Sequence, residues 1–262
     1  MKILVTNLQD QTKRREFMTG QLDKLKVDYE LIYCIDGRKW DNDYIKSITS
    51  EKLFGLYTKY SDSWLTKGAI AATLTHVKIL YQRLIDENID YLLLMEDDVK
   101  LADDFTKDTL DQIQNTLRNS ALKGIFLLHS TSNETQHLVA ESKIKVNAKY
   151  AFYRPEKINM GSGAAYIIDK DTAASLIKAQ TPVDNIADWW NDHYQNKSVP
   201  EVYVMYPPPA ATDVFESTLG YIQPNSFNWF LKKYLLSNFI SKWILNLNRK
   251  IRTIKNNKFV IR

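Results

Sequence analysis

The chain has 262 residues, 44% of them hydrophobic and 25% charged with both signs mixed, and it holds one cysteine. That length suits one large domain, or one domain with an appendage; the composition excludes a disordered chain, and a lone cysteine excludes an internal disulfide. The net charge of +4 divides unevenly, because residues 226–262 carry nine Lys or Arg and no acid, leaving −5 on everything before them. A net-acidic body without a recognition motif does not suit nucleic acid, and the four histidines and Cys34 lack zinc-finger spacing.

In chain order, the opening "MKILVTNLQDQTKRR" has an apolar stretch far shorter than the core of a signal peptide, and charges follow at once. We therefore expect no leader and, with an unpaired Cys34 in an apolar stretch, a reducing compartment. "KILVT" (2–6) predicts a short buried strand. "QTKRREFMTGQLDKL" (11–25) predicts a helix with Phe17, Leu22 and Leu25 near helical spacing, and "YELIYCI" (29–35) a second strand stopped by Asp36-Gly37. This is the strand–helix–strand order of a parallel sheet. A polar stretch without a predicted element runs to Lys67-Gly68. Then Ile70, Leu74, Val77, Tyr81 and Leu84 recur at steps of four and three, the spacing of an amphipathic helix.

"YLLLM" (91–95) is short and apolar on both faces, as a central parallel strand should be. A helix is predicted from Phe105 to Leu117, then a strand at "IFLLH" (125–129), and an edge or antiparallel strand at "KVNAKYAFY" (145–153). "AAYIID" (164–169) is another strand, "KDTAASLIKA" (170–179) a helix, and "EVYVMY" (201–206) a last strand stopped by three prolines. The architecture is α/β, with strands and helices alternating to about residue 130 and a mixed order after it. Ligands of open α/β sheets bind outside the carboxyl ends of the strands. Asp36-Gly37, the triplet Glu96-Asp97-Asp98, His129 and Pro207 all lie at such ends.

The triplet follows its apolar strand without a spacer, and adjacent carboxylates repel one another unless something positive sits among them. If strand geometry continues, Glu96 and Asp98 project to one side and Asp97 to the other. Two carboxylates on one side suit a hard cation, Mn²⁺ or Mg²⁺, which prefers oxygen ligands and can bridge the phosphates of a nucleotide. The plainer alternative is a solvated turn.

Several short segments then occur together in order. "VTNLQDQTKRR", "CIDGRKW", "LTKGAIAATLTHVKIL", "YLLLMEDDV", "GSGAAYIID", "TPVDNIAD" and "YVMYPPPA" span roughly residues 2 to 224. In this series the chain resembles the bacterial lipooligosaccharide glycosyltransferases of glycosyltransferase family 25. It departs from them in the third segment, where Ala69 and Ala72 stand in place of Glu and Cys, and Thr75 in place of Ser.

The resemblance implies a GT-A type, Rossmann-like mixed sheet flanked by helices, and transfer of a hexose from a UDP-sugar donor to a glycolipid acceptor. It implies that Asn7 and Leu8 line the uridine pocket, with Arg14, Arg15 and Arg38 available for phosphate or sugar hydroxyls, as the planar fork of arginine allows. Asp36, His76 and Gly163 join the donor site, Asp97 the ribose, and Glu96 and Asp98 the metal. An inverting transfer needs a general base beside the acceptor hydroxyl. Asp184 is the first candidate and Asp188 the second, helix capping being the structural alternative for Asp184. His76 could instead be a satisfied structural histidine, and Trp189, Trp190 and Tyr194 offer flat faces to a sugar ring or to the core.

Beyond the expected catalytic domain (1–225), the tail (226–262) places Leu236, Phe239, Ile240, Trp243, Leu247, Ile251 and Ile254 on one helical stripe among lysines and arginines. Charges interrupt it too often for a spanning helix. A basic amphipathic helical tail suits an anionic membrane surface, so the expected location is the cytoplasmic face of the inner membrane. The alternative readings are a sugar nucleotidyltransferase, against which the first strand–helix turn lacks a glycine-rich loop, and a non-catalytic membrane-docking scaffold.

Overall fold

The structure, a computed structural model, describes residues 1–61, 64–132, 134–212, 214–215 and 259–261. Strand β1 (Lys2–Asn7), helix α1 (Thr12–Leu25) and strand β2 (Glu30–Tyr33) form the predicted unit, with β2 parallel to β1. The buried face of α1 is Arg14, Met18 and Leu22, at steps of four, rather than the Phe17–Leu22–Leu25 set. An arginine therefore heads the apolar stripe and is carried beneath the sheet's end.

The polar stretch holds two helices that periodicity alone does not predict, α2 (Asn42–Ile48) and α3 (Glu51–Tyr60). Each starts on a side-chain cap: Asp41 accepts from the Tyr44 amide and Ser50 from the Leu53 amide, relieving amides that the first helical turn leaves unpaired. The predicted helix around Leu74 exists as α4 (Lys67–Thr75), a π-helical turn (His76–Tyr81) and α5 (Gln82–Asp86), and all five periodic residues are buried.

Next come β3 (Tyr91–Glu96), β4 (Lys100–Leu101), α6 (Lys107–Ser120), β5 (Ile125–Leu127), β6 (Gln136–Leu138), β7 (Ile144–Lys145) and β8 (Ala151–Tyr153). The series continues with β9 (Ala165–Asp169), α7 (Lys170–Ala179), α8 (Trp190–Gln195), β10 (Val202–Tyr206) and β11 (Ala210–Ala211). The main sheet has eight strands in the order β2-β1-β3-β9-β5-β10-β8-β7. The pairs β1–β2, β1–β3 and β5–β10 are parallel; β9 runs antiparallel between β3 and β5. The "KVNAKYAFY" segment is the expected antiparallel edge, folded back as β7 and β8 around Asn147, whose Oδ1 accepts from the Lys149 and Tyr150 amides.

Alternate strand residues feed two cores. Val5, Leu93, Met95, Phe126 and Ile167 pack with Met18 and Leu22 of α1 and with Ile113 and Leu117 of α6. Leu4, Leu92, Leu94, Leu127 and Ile168 pack with Val77, Leu80 and Tyr81 of the π turn and Leu176 of α7. Both faces are covered, which is why the central strands read as unbroken apolar runs. Each fully buried leucine or isoleucine contributes about 1.5–3 kcal/mol of transfer free energy. A third cluster (Ile45, Leu53, Tyr57, Ile70, Leu74 and Val183) fastens α2 and α3 to α4.

The expected tail helix, with its stripe from Leu236 to Ile254, lies outside the described residues. Phe259–Ile261 form a short strand, β12, parallel to β6, with the Phe259 ring 5.6 Å from that of Tyr206. Among the described residues no helix is long and apolar enough to cross a membrane.

Candidate active site

Strands β1 and β3 run side by side, so their carboxyl ends meet: Thr6 lies opposite Glu96, and Asn7 closes β1. Strand geometry does not continue through the triplet. β3 ends at Glu96, and the Val99 amide donates to the Glu96 carbonyl at 3.3 Å, closing a turn over Asp97 and Asp98. The triplet therefore divides otherwise than alternation predicts: Asp97 and Asp98 go together, and Glu96 goes apart.

The positive group among these acids is Arg14. Its guanidinium pairs with Asp97 Oδ1 at 3.1 Å and, through Nη2, with Asp98 Oδ2. Asn7 Nδ2 donates to Asp97 Oδ2 at 2.6 Å. All of these side chains are buried. Arg14 thus holds two carboxylates from beneath the sheet's end. Arg15, next to it, donates to Asn7 Oδ1 (3.0 Å) and to the Gln9 carbonyl (3.3 Å), and so braces the loop between β1 and α1.

Glu96 meets different neighbours. A Cβ placed on Gly163 would lie 3.6 Å from Glu96 Oε1, 3.6 Å from His76 Cε1 and 3.8 Å from Asp188 Cβ. Glycine at this position leaves a groove between two carboxyl groups that a side chain would fill. His76 opens the π turn, and its Nδ1 lies 2.6 Å from the hydroxyl of Tyr166, which in turn contacts the Tyr81 hydroxyl at 2.7 Å. π turns recur at functional sites, and this one presses His76 against the groove.

The electrostatics follow from burial and crowding. Desolvation, then the charges of Asp98, Asp188 and Asp97, pushes Glu96 up to about 8. Burial raises Asp97 to about 6 although Arg14 and Asn7 oppose it, and burial raises Asp188 as well. Burial lowers His76 to about 4, so its ring is neutral at pH 7. Asp97 and Asp98 share the buried guanidinium of Arg14, while burial favours the protonated forms of Glu96 and Asp188. Among the described residues no three His, Cys, Asp or Glu side chains gather as a metal cage. Mg²⁺ at a nucleotide site, however, ordinarily takes one or two carboxylates and completes its shell with phosphate and water. Glu96 and Asp98, two carboxyl groups close enough for the charge of one to act on the other, fit that pattern.

A narrow pocket of about 100 Å³ brings together Asn7, Leu8, Arg14, Asp36, Arg38, His76, Glu96, Asp97 and Asp98. At its rim Arg38 forks onto Asp36 (2.7–3.0 Å) and reaches Asp10 at 2.7 Å, and this pairing lowers Asp36 to about 2. Cys34, Thr75 and Ala72 also line the pocket. Ala69, where the resemblance leads one to expect Glu, is buried in the apolar third cluster.

Asp188 lines a second cavity of about 760 Å³, together with residues 155–161, Trp189, Tyr194 and Glu201. Asp184 lines neither. It accepts from Ser50 Oγ at 2.5 Å and from Lys52 Nζ at 3.5 Å, bracing the cap of α3, and no helix begins at Asp184 itself. The adjacent tryptophans also separate. Trp190 is wholly buried and donates Nε1–H to the Ser162 carbonyl at 3.2 Å, whereas Trp189 is only half-buried; both border the cavity. His129 Nδ1 lies 2.7 Å from Ser162 Oγ, so it supports the loop rather than the groove. Sequence reasoning passed over Cys34 and Tyr166. The second stands in "GSGAAYIID" and could have been found by asking which hydroxyl partners a buried histidine.

Over residues 1–189 the sequence matches Glycosyltransferase family 25 (LPS biosynthesis protein). The chain belongs to glycosyltransferase family 25. This family 25 chain is 29% identical to human procollagen galactosyltransferase 2 over 43% of its own length and 19% of that protein. It is 23% identical to a glycosyltransferase 25 family member of Aedes aegypti over 75% of its length and 33% of that protein. A probable inactive glycosyltransferase 25 family member 3 of Bos taurus is 23% identical over 75% and 32%. The chain thus spans a fifth to a third of the length of these curated relatives. Among solved structures, a glycosyltransferase involved in glycosylating the major capsid of PBCV-1 aligns over 78% of this chain and 80% of that one, with 11% identity and a TM-score of only 0.31.

Proposed function

We propose that the chain transfers a hexose, galactose or glucose, from a UDP-sugar to a lipooligosaccharide or lipopolysaccharide acceptor, with inversion and with the help of Mn²⁺ or Mg²⁺. The observation that carries this reading is the placement of Glu96 and Asp188 on either side of Gly163. Glu96 lines the narrow pocket at the tips of β1 and β3, Asp188 lines the wide cavity, and a Cβ on Gly163 would touch both residues. Family membership supports the reaction class.

In this reading the donor enters the narrow pocket, with its uridine along Asn7 and Leu8. Glu96 and Asp98 would hold the divalent cation. Bound there, it would neutralise the diphosphate and make UDP a better leaving group. Arg14 fixes Asp97 and Asp98, and Arg15 fixes Asn7, so both arginines shape the pocket from below. Arg38 can move its fork from Asp36 to a phosphate, because it is half exposed. Asp188 faces the acceptor side, where its raised proton affinity suits a general base that takes the proton of the attacking hydroxyl. Residues 1–225 form the catalytic unit, and the basic residues 226–262 seat it on an anionic inner-membrane surface.

The test is product analysis. The full chain, given Mn²⁺, purified lipooligosaccharide and either UDP-galactose or UDP-glucose, should release UDP and add one hexose of inverted anomeric configuration. Asp98→Ala should stop transfer while the circular dichroism spectrum is kept. Transfer from neither donor would overturn the reading.

A further inference from the structure

One wall residue of the wide cavity, Trp189, belongs to a row of aromatic rings that the transfer reaction itself leaves unexplained. Trp189, on the cavity wall, lies 5.3 Å from Trp64, and Trp64 lies 5.0 Å from Tyr60 at the end of α3. The interplanar angles are 32° and 43°, so the rings tilt in succession instead of closing into one buried stack. Trp64 is 39% exposed, although burying an indole would recover much apolar area. Beyond Asp188, Tyr194 is exposed to the same degree on the cavity's other wall.

The charge around the cavity narrows what could lie on this row. Glu156, Asp188, Asp192 and Glu201 line it against a single lysine, Lys157, and Asn159 donates to a further acid, Glu134, at 2.9 Å. Arg154 pairs with Glu201 at 3.4 Å, and at the far end of the row Lys59 Nζ lies 5.1 Å from the Tyr60 ring centroid. A phosphorylated or carboxylated sugar entering here would meet like charge. A lipid tail would leave these acids facing hydrocarbon, at a desolvation cost. Uncharged pyranose rings fit both features, because they offer apolar C–H faces to aromatic rings and hydroxyls to carboxylates.

We infer that Tyr60, Trp64 and Trp189 form a track that binds the saccharide chain of the acceptor as consecutive neutral hexoses, with the terminal one held in the 760 Å³ cavity beside Asp188. This rests on the proposed transfer reaction for its direction, but it can be tested by binding alone. Each stacked ring adds affinity, so a longer neutral saccharide binds more tightly than a single sugar.

The experiment is calorimetric titration of the full chain, with UDP and Mn²⁺ present, against a methyl hexoside, a neutral trisaccharide of galactose and glucose, and the same trisaccharide bearing a phosphate. The neutral trisaccharide should bind more tightly than both others. Trp64→Ala should weaken it by about threefold to tenfold, and Trp64→Phe should restore most of the loss. Tyr44→Ala, which removes an exposed aromatic on α2 outside the row, serves as the control and should change nothing. Equal affinity for hexoside and trisaccharide, preference for the phosphorylated chain, or indifference to Trp64→Ala would each overturn the track. Failure of UDP itself to bind strikes the transfer reading instead, and saccharide binding sensitive to Trp64 would still support the track.

Discussion

Glu96 ends the central strand β3 and Asp188 precedes α8, yet a single absent side chain separates them: a Cβ on Gly163 would stand 3.6 Å from Glu96 Oε1 and 3.8 Å from Asp188 Cβ. Those distances are ordinary contacts. Gly163→Ala should therefore fold, with stability changed by no more than about 1 kcal/mol, while the added methyl group obstructs the groove. Steady-state kinetics should show transfer reduced with the melting temperature nearly kept. Full activity in Gly163→Ala would show that nothing passes between these carboxyls.

Asp188→Asn keeps the shape of the groove but removes the proton acceptor. Turnover should fall by about 10²–10⁴-fold, with UDP affinity little changed. Asp184→Asn, at a residue committed to Ser50 and Lys52, should leave turnover near wild type. The reverse ranking of the two variants would move the base to Asp184.

Arg14 and Arg15 are neighbours in sequence with different work. Arg14→Met leaves Asp97 and Asp98 buried without their cation. By the usual cost of breaking a buried pair, denaturant unfolding should show a loss of about 3–5 kcal/mol. Arg15→Ala loses solvent-screened contacts and should cost less than about 1 kcal/mol. Similar losses in both would mean that Arg14 is not the cluster's internal counter-ion.

The raised carboxyls give stability a definite pH slope. Glu96 moves from an ordinary 4.5 to about 8 and Asp97 from 3.8 to about 6, so between these limits the folded chain holds protons that the unfolded chain has released. Their contribution is full at acid pH and fades as pH rises through the folded values. His76, lowered from 6.5 to about 4, acts oppositely, losing its contribution as pH falls through that range. Above pH 6.5 the decline belongs to Glu96, and the N-terminal amine, which burial lowers from 8.0, opposes it. In EDTA the melting temperature should therefore decline from pH 6.5 to 8, and Glu96→Gln should flatten the decline. An unchanged slope in that variant would remove Glu96 as its source.

Cys34 reports on the narrow pocket. Burial, then the charges of Glu96 and Asp97, pushes its thiol up to about 12. At pH 8 iodoacetamide should modify it on the order of 100-fold more slowly than in the unfolded chain, and UDP should slow it further. Protection absent at saturating UDP would place the nucleotide elsewhere.

Much of this was legible in the sequence because strands buried on both faces print themselves as apolar runs, and "YLLLM" and "IFLLH" could hardly be anything else. The helices α2 and α3 were missed because they are held by the caps Asp41 and Ser50 and by a local cluster, and a polar run conceals both. Arg14 was readable as a site residue but not as a buried one, since hydrophobic periodicity gives an arginine no place in a core stripe. The split of Glu96 from Asp97 and Asp98 depends on where β3 ends. Strand alternation cannot foresee a turn closed by a single hydrogen bond from Val99. The groove at Gly163 joins residues far apart in sequence, and only the antiparallel insertion of β9 brings them together.

The central claim is that the carboxylates at the end of β3, beside the tip of β1, grip a nucleoside diphosphate through a divalent cation. Titrating UDP into the full chain by calorimetry, in Mn²⁺ and again in EDTA, tests it most directly. The account predicts saturable binding in Mn²⁺ that weakens strongly in EDTA and is lost in Glu96→Gln combined with Asp98→Asn. Binding of equal strength in both buffers, or in neither, would contradict it.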